Sequence, residues 1–342
     1  MFLHVMRPSG RESYPEGAER YAPHYLEAWL KHFPEAKPKA RDKEDWVENA
    51  CFLYEIERLG LPFAVHESKD SGWVSASADT LAQGDGEAAF FHTGIGGADR
   101  IRNAGNYHYV MQGPKALDAI AKHAASETFQ RYAGRPMLLA KPDPKDIDQA
   151  VRQIVPGEGF IFLKTIKKEM ARIFWIEADR SPWKCIIEQD EDMVWTIVQY
   201  EGTESPYFSI QGCIQPTYEY RMFIVGDQPV TGAGCVEAFT PLNNRDIFDV
   251  TMEPLRNQSE VEDQPAITEA YLQFAKDFAR EFASETGLPL SYSLDLTIDA
   301  NTGKIVPVEL NPPMNLGRYA SNIEAWIMAI DAEGRRLVGE GQ

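Results

Sequence analysis

The feature that most constrains this chain is the segment SLDLTIDANTGKIVPVELNP near its C-terminus, residues 293–312. We interpret it as two antiparallel strands joined by a tight turn at 300–303. This arrangement places Asp295 and Glu309 on adjacent strands. Glu309 and Asn311 are two residues apart on one strand, and side chains at that spacing share a face.

Two carboxylates and an amide oxygen on one face form a cluster of oxygen donors. Such a cluster suits Mg²⁺, with Mn²⁺ as the alternative, and suits neither zinc nor iron. The sequence therefore predicts a metal site formed by Asp295, Glu309 and Asn311. The competing interpretation is a solvated acidic hairpin, since Asp and Glu usually face water. The pattern alone leaves both interpretations open.

Short apolar strand-like runs alternate with longer helix-like stretches along the whole chain, which predicts an α/β layered architecture. In the first region, to about residue 112, FLHVM, FAVHE and AAFFHTG are predicted strands. A helix is predicted over Trp46–Leu59, with Gly60 at its C-cap. The glycine cluster TGIGG at 93–97 lacks the spacing of a dinucleotide fingerprint, and a turn is the favoured interpretation.

The remaining regions contain further predicted elements. A long helix is predicted through GPKALDAIAKHAASETFQRYAGRP, ending at Gly134, followed by strands GFIFLK, KCIIEQ and MVWTIVQY. EYRMFIV and PVTGAGCV predict a hairpin about Gly226 and Asp227. AITEAYLQFAKDFAREFASET predicts an amphipathic helix ending at Gly287, and the tail from Ile323 predicts another.

Charge and composition narrow the function. The chain of 342 residues has 34 basic and 52 acidic residues, a net charge of −18, which disfavours general binding to nucleic acid or anionic membranes. The absence of a long apolar stretch and of a secretory signal leads us to expect a cytoplasmic protein without a membrane span. The four cysteines are scattered, which argues against a zinc site and a disulfide framework.

The D…ExNP ending and the order of the other motifs resemble the ATP-grasp superfamily and its ligases. The nearest resemblance is to the branch that glutamylates ribosomal protein. It implies an α+β ATP-grasp fold with two lobes that clamp ATP. Residues 1–112 would form an N-terminal pre-ATP-grasp α/β domain, 113–198 the central lobe and 199–342 the C-terminal lobe with the metal site.

The resemblance also implies which residues bind ATP. The helical segment before Gly134 matches the family's segment with the first ATP-binding lysine, here Lys122, with Lys115 as the alternative. GFIFLK matches the strand that carries the second lysine, Lys164. TIVQYE resembles the hinge whose backbone holds adenine, which implies a further group of adenine-binding residues. That group is Gln199, Tyr200 and Glu201.

By the same match, EYRMFIV is the strand on which Glu219 reaches the ribose and Arg221 faces the phosphates or the acceptor. A structural salt bridge to a neighbouring carboxylate is the alternative for Arg221, because an arginine in an apolar strand needs an anionic partner. Arg318 would clamp a substrate carboxylate or phosphate, against the alternative of a solvated arginine at a helix start. Arg245 would touch the terminal phosphate.

The sequence departs from the family in two places. The segment after the second lysine, TIKKEMARIF, lacks the family's glycine-rich loop, so Lys167 and Lys168 would supply charge instead of backbone N–H groups. The interval from the predicted hinge to Glu219 is longer than usual, which predicts an insertion near 202–216. Both departures concern the lid and the acceptor rather than the metal residues.

The resemblance implies an ATP-dependent carboxylate–amine ligase that works through an acylphosphate and releases ADP and phosphate. Its cofactors would be ATP and Mg²⁺, and its substrates a small-molecule or peptide carboxylate and an amine. The alternatives are a phosphotransferase on the same fold and a non-catalytic nucleotide-binding protein. The sequence identifies neither substrate, and it does not decide between a monomer and a homo-oligomer.

Overall fold

The computed structural model describes residues 2–6, 12–40, 43–66, 68–69, 73–74, 88–92, 109–110, 114–166, 170–201, 207–234, 264–288, 290–312, 317 and 321–340. The chain forms two compact units. The first consists of Met1–Asp118, Tyr218–Leu296 and Leu310–Gln342, and the second of Ala119–Thr217 and Thr297–Glu309. The predicted division at 112 and 198 stays a prediction. Among the described helices, none is long and apolar enough to cross a membrane.

The N-terminal part of the first unit contains a parallel sheet flanked by helices. Its elements are β1 Phe2–Met6, β2 Ser13–Pro15, α1 Ala18–Tyr21, α2 Pro23–His32, β3 Lys37–Lys39, α3 Lys43–Arg58, β4 Phe63–His66, β5 Ser68–Lys69, β6 Trp73–Val74, β7 Ala88–His92 and β8 Tyr109–Val110. The sheet has the order β4-β1-β7-β8, with all neighbours parallel. The predicted strands FLHVM, FAVHE and AAFFHTG are confirmed, whereas TGIGG lies outside the described residues.

Helix α3 confirms the predicted helix over 46–59, and Gly60 follows it with φ of 65°. Glycine adopts this left-handed conformation without a steric penalty, which is why it ends helices. The apolar sides of α2 and α3 enclose the core of the first unit, in which Trp29, Trp46 and Trp326 are buried.

The second unit contains an antiparallel sheet covered on one side by helices. Helix α4, Pro114–Ala121, contains the boundary between the two units. The elements that follow it are a 3₁₀ turn His123–Ala125, α5 Glu127–Ala133, β9 Met137–Ala140, α6 Pro144–Ile154, β10 Gly159–Thr165, β11 Ala171–Ile176, α7 Pro182–Gln189, α8 Asp192–Glu201 and β12 Phe208–Gly212. The sheet order is β11-β10-β12-β9, with antiparallel neighbours. Ile161, Leu163 and Ile210 pack with α6 and α7 in its core.

Two strand predictions in this region are wrong. KCIIEQ lies in α7 and MVWTIVQY in α8, so both segments are helical. Ser181 caps α7 by accepting a hydrogen bond from the backbone N–H of Lys184, and Pro182 occupies the first turn. β-branched and aromatic residues favour strands only weakly, and in α7 these capping signals outweigh that preference.

The predicted long helix before Gly134 is also corrected, because it consists of three pieces. It is interrupted at Ser126, whose hydroxyl caps α5 by accepting from the backbone N–H of Phe129. A serine competes with the helix for backbone groups and favours a new helix start. Gly134 ends α5 with φ of 61°, as predicted.

The C-terminal stretch forms a third sheet with two long helices. Its elements are β13 Pro216–Val225, β14 Gln228–Gly234, α9 Pro265–Thr286, β15 Ser291–Asp299, β16 Lys304–Asn311 and α10 Ile323–Glu340. The sheet order is β14-β13-β15-β16. The predicted hairpin about Gly226, the strands that carry the D…ExN motif and both helices are confirmed.

Candidate functional site

Arg221, Asp295 and Asn311 form one buried polar network in the first unit. Arg221 Nε donates to Asp295 Oδ1, and Arg221 Nη2 to Asp295 Oδ2, each at 2.7 Å. Asn311 Nδ2 donates to Asp295 Oδ2 at 2.9 Å, and Arg221 Nη1 to the carbonyl of Gly317 at 2.9 Å. Arg221 is 8%, Asp295 2% and Asn311 0% exposed. The positive charge of Arg221 therefore compensates the negative charge of Asp295 inside the protein.

The salt bridge that was the alternative prediction for Arg221 is therefore present, because the arginine has a carboxylate partner in its own unit. A fork-like guanidinium that bonds both oxygens of a carboxylate fixes that carboxylate in position. Arg221 consequently orients Asp295, and whether it also touches a ligand stays a prediction.

Lys164 and Glu309 form a second charged pair, within the second unit. Lys164 Nζ lies 2.7 Å from Glu309 Oε2, and the two side chains are 8% and 20% exposed. Lys164 lies near the end of β10 and Glu309 near the end of β16, 145 residues apart. The fold thus joins the predicted second ATP lysine to a predicted metal ligand.

The face of the second sheet that carries Lys164 also carries large apolar side chains that are exposed. Side chains two apart on β10 share this face, and the register pairs Phe160 with Trp175 and Phe162 with Ile173. The rings of Phe160 and Trp175 are 4.8 Å apart in an edge-on arrangement. Phe160 is 56% and Ile173 61% exposed, so apolar surface extends along the strand away from the lysine.

Arg135 is a functional candidate that the sequence analysis missed. Its guanidinium donates to the carbonyls of Pro307 at 3.0 Å and Val308 at 3.4 Å, next to Glu309. It also donates to Gln211 Oε1 at 3.0 Å. Burial lowers the pKa of Arg135 to about 10, although the charges of Asp299 and Cys213 oppose the shift. No local sequence signal marks this residue, because its contacts with Pro307, Val308 and Gln211 are distant in the chain.

Lys122 and Lys115 are the two candidates for the first ATP-binding lysine. Lys122 is half-buried and Lys115 is exposed. Lys122 follows α4, and its Nζ lies 5.5 Å from the ring centroid of Tyr207. This distance is typical of a cation–π contact. Both assignments to ATP stay predictions.

The predicted hinge residues Gln199, Tyr200 and Glu201 end helix α8, not a strand. The chain instead passes from the second to the third sheet through the short link between β12 and β13, residues 213–215. The stretch predicted as an insertion near 202–216 therefore holds β12, a central strand of the second sheet. The adenine assignment of 199–201 was based on a strand that the structure does not have, and it stays a prediction.

Glu219 lies on β13 and is half-buried, next to Tyr218. Tyr218 has φ of 56°, a left-handed conformation that is uncommon for a residue other than glycine. Its carbonyl accepts a hydrogen bond from the hydroxyl of Tyr271 at 2.8 Å, which helps to hold that conformation.

The remaining predicted residues lie outside the described part of the chain. These are Arg245, Arg318, Lys167 and Lys168.

The chemistry of the donor set fits Mg²⁺, since Asp295, Glu309 and Asn311 offer only oxygen atoms as ligands. Among the residues that the structure describes, no three His, Cys, Asp or Glu side chains are grouped so as to hold a metal ion. Asp295 already accepts three close hydrogen bonds, so any metal would share this carboxylate with Arg221.

Comparisons with known proteins bear on the fold. No protein-family model matches the chain, and no curated protein matches its sequence. A D-cycloserine synthetase structure is similar over 98% of this chain and 100% of its own, with 13% identity and a TM-score of 0.53. D-Alanyl-alanine synthetase A from Vibrio cholerae is similar over 99% of this chain and 98% of its own, with 12% identity and a TM-score of 0.50.

D-Alanine–D-alanine ligase from Bacillus anthracis, solved in complex with ATP, is similar over 100% of this chain and 99% of its own, with 10% identity and a TM-score of 0.51. At such identities the likeness shows the fold alone. The mixed α/β architecture with antiparallel sheets is the ATP-grasp fold, which confirms the predicted fold class.

Proposed function

We propose that this chain is an ATP-dependent carboxylate–amine ligase. The observation that carries the proposal is the pair of Lys164 and Glu309 at 2.7 Å, in which a buried lysine meets a carboxylate of the oxygen-donor motif. The fold supports it, since the structural neighbours include two proteins named for joining D-alanine, one of them solved with ATP. Fold by itself does not choose a substrate, so the carboxylate and the amine are left as chemical classes.

In this proposal Lys164 and Lys122 bind the nucleotide phosphates as mobile point charges. Asp295, Glu309 and Asn311 hold Mg²⁺, which neutralises phosphate charge when bound. Glu309 then serves both the lysine and the metal, and Arg221 keeps Asp295 oriented. Arg318 and Arg245 stay predicted contacts of the substrate and the terminal phosphate.

For adenine we propose the link between β12 and β13 in place of the helical residues 199–201. Cys213 and Ile214 lie in this link, in neither a helix nor a strand. Among the described residues, none forms a hydrogen bond with the backbone groups of these two. Such groups are available to a planar base, whereas most backbone N–H groups within a helix are already bonded.

The reaction has two steps. A carboxylate oxygen of the first substrate attacks the γ-phosphorus of ATP, the bond to the β–γ bridging oxygen breaks, and ADP leaves with its electron pair. The amine nitrogen of the second substrate then attacks the acyl carbon, loses a proton and expels inorganic phosphate. Positioning and charge stabilisation suffice for both steps, so no protein nucleophile is needed.

The test is a screen of carboxylate and amine pairs with Mg–ATP, read out by phosphate release and by mass spectrometry of the joined product. Release should depend on both substrates, and hydroxylamine should trap the acylphosphate as a hydroxamate. Asp295→Asn combined with Glu309→Gln should abolish turnover. Turnover with a lone phosphoryl acceptor, a stable phosphate ester as product and no hydroxamate would show a phosphotransferase instead.

A further inference from the structure

Arg135 is a half-buried cation with an unusual set of partners. It follows Gly134 at the junction of α5 and β9, and it donates to the carbonyls of Ala133, Pro307 and Val308 and to the amide oxygen of Gln211. Among the described residues, no carboxylate comes within ion-pair distance of its guanidinium. Its partners are therefore neutral oxygens.

A cation in this position is costly for folding alone. Taking part of a guanidinium out of water without a direct ion pair carries a penalty, which lowers the pKa of Arg135 although the charge of Asp299 opposes the shift. An apolar side chain would fill the same junction without that penalty. A role beyond packing is therefore the better explanation for an arginine at this place.

Both terminal nitrogens of the guanidinium contact the strand that carries Glu309. Pro307 and Val308 directly precede Glu309 on β16, and Arg135 binds the carbonyl oxygens of both. Because the peptide units there are fixed by these donors, the backbone position from which the Glu309 side chain extends is also fixed.

The same guanidinium also contacts the strand beside Lys164. Gln211, which accepts from Arg135 Nη2, donates from Nε2 to Ser209 Oγ at 2.9 Å. The register of β10 and β12 places Ser209 directly opposite Lys164. Arg135 thus connects the neighbours of both members of the Lys164–Glu309 pair, and all seven residues of this set belong to the second unit.

We propose that Arg135 is a positioning residue that holds Glu309 opposite Lys164 and thereby sets the affinity of the site for a metal-bound nucleoside diphosphate or triphosphate. The inference rests on the proposed nucleotide function of that pair. Removal of a residue that orients a metal ligand without binding the metal itself commonly lowers metal affinity or activity by about 10- to 100-fold.

The experiment measures the dissociation constant of ADP by calorimetry, once with Mg²⁺ and once with EDTA, for the wild type and for Arg135→Met. The methionine keeps the apolar stem of the side chain but has no hydrogen-bond donors. Arg280→Met is the matched control, because Arg280 is exposed on α9 and bonds Asp277 on the same helix. Melting temperatures without ligand report folding separately.

We expect Arg135→Met to weaken Mg–ADP binding by about tenfold or more and to change metal-free ADP binding much less. In the Glu309→Gln background the same substitution should change Mg–ADP affinity by less than about twofold, since its effect passes through Glu309. Arg135→Lys should recover part of the loss, and it replaces Arg135→Met if that variant fails to fold.

Equal Mg–ADP affinities for Arg135→Met and Arg280→Met would overturn the inference while leaving the nucleotide site intact, even if the melting temperature fell. An undiminished effect in the Glu309→Gln background would also overturn it. A wild-type protein that binds neither Mg–ADP nor Mg–ATP would overturn the proposed function and this inference together.

Discussion

Arg221 and Asp295 lie 74 residues apart in the sequence and meet through two parallel hydrogen bonds of 2.7 Å. Removing one partner leaves an uncompensated buried charge, so Arg221→Met and Asp295→Asn should each lower the free energy of unfolding by about 3–5 kcal/mol. The double variant should lose less than the sum of the two, because neither charge is left alone. Urea unfolding at neutral pH measures all three.

The control for this double-mutant cycle is the exposed pair of Arg280 and Asp277. The same cycle should give an interaction free energy below about 1 kcal/mol for that pair. If the losses at Arg221 and Asp295 simply add, the two side chains act independently and the pair does not orient the carboxylate.

Gly232 should not tolerate a side chain. It pairs with Met222 across β13 and β14, and a Cβ placed on it would lie 2.5 Å from Tyr220 Cε1 and 2.7 Å from Met222 Sδ. The Tyr220 ring is fully buried and stacked on Tyr271, so it cannot move aside cheaply. Gly232→Ala should therefore lower the free energy of unfolding by about 1–3 kcal/mol.

Gly339 offers the matched glycine, since it lies near the end of α10 with open space around its Cα. Gly339→Ala should stabilise the protein by up to about 1 kcal/mol, through helix propensity. Thermal unfolding of both variants checks the pair. Equal effects at the two positions would contradict the packing described around Gly232.

Asp299 should make stability depend on acid pH. Burial alone raises the pKa of this carboxyl. Hydrogen bonds from the backbone N–H groups of Gln215 and Asn301 and from the Thr302 hydroxyl, together with the charge of Arg135, outweigh burial and lower the pKa. A carboxyl with a lowered folded-state pKa stabilises the protein above its unfolded value of about 3.9. That stabilisation disappears as the pH falls through the folded-state pKa.

Asp299→Asn removes the titrating group. The difference in unfolding free energy between wild type and variant should be largest near pH 7 and shrink below about pH 4. Urea midpoints from pH 7 to pH 2.5 measure the trend, with Asp277→Asn as the control, because Asp277 is a partly exposed carboxylate on α9. A difference that stays constant with pH would show that the Asp299 hydrogen bonds do not favour the charged carboxylate.

What could be predicted from the sequence was mostly local. The hairpin of β15 and β16 was predictable because strand alternation and a tight turn are encoded within 20 consecutive residues. The helix ends at Gly60, Gly134 and Gly287 were predictable because glycine readily adopts the left-handed conformation, and these three glycines adopt it. The turn after Asp299 was predictable from the same property of glycine.

The wrong secondary-structure predictions arose where the strand propensity of the residues disagrees with the helix-capping pattern and the tertiary packing. The segments in α7 and α8 are rich in residues that favour strands, but a capping serine with proline, and packing against the sheet, make them helical. The predicted adenine hinge, residues 199–201, lies on one of these helical segments, whereas the strand that precedes the third sheet, β12, lies further along the chain. Arg135 escaped prediction because its partners are up to 173 residues away.

The pair of Lys164 and Glu309 allows a direct test of the candidate site. Lys164→Met removes the cation but keeps most of the apolar stem, so the fold should survive while the nucleotide phosphates lose a charged partner. A hydrogen bond to a charged group contributes about 1.5–3 kcal/mol, which corresponds to a loss of roughly 10- to 150-fold in affinity for Mg–ADP. Calorimetry measures the loss, and the ligand-free melting temperature reports folding.

Lys184→Met is the control, because Lys184 is exposed on α7 of the same unit and carries the same charge. It should leave the affinity within about twofold at 0.15 M salt, where exposed charges beyond about 8 Å are screened. The loss at Lys164 should persist when the salt is raised to 0.5 M, since a lysine with 8% of its side chain exposed is poorly screened. If both lysines have the same small effect, Lys164 serves only as the structural partner of Glu309, and the nucleotide phosphates must be bound elsewhere.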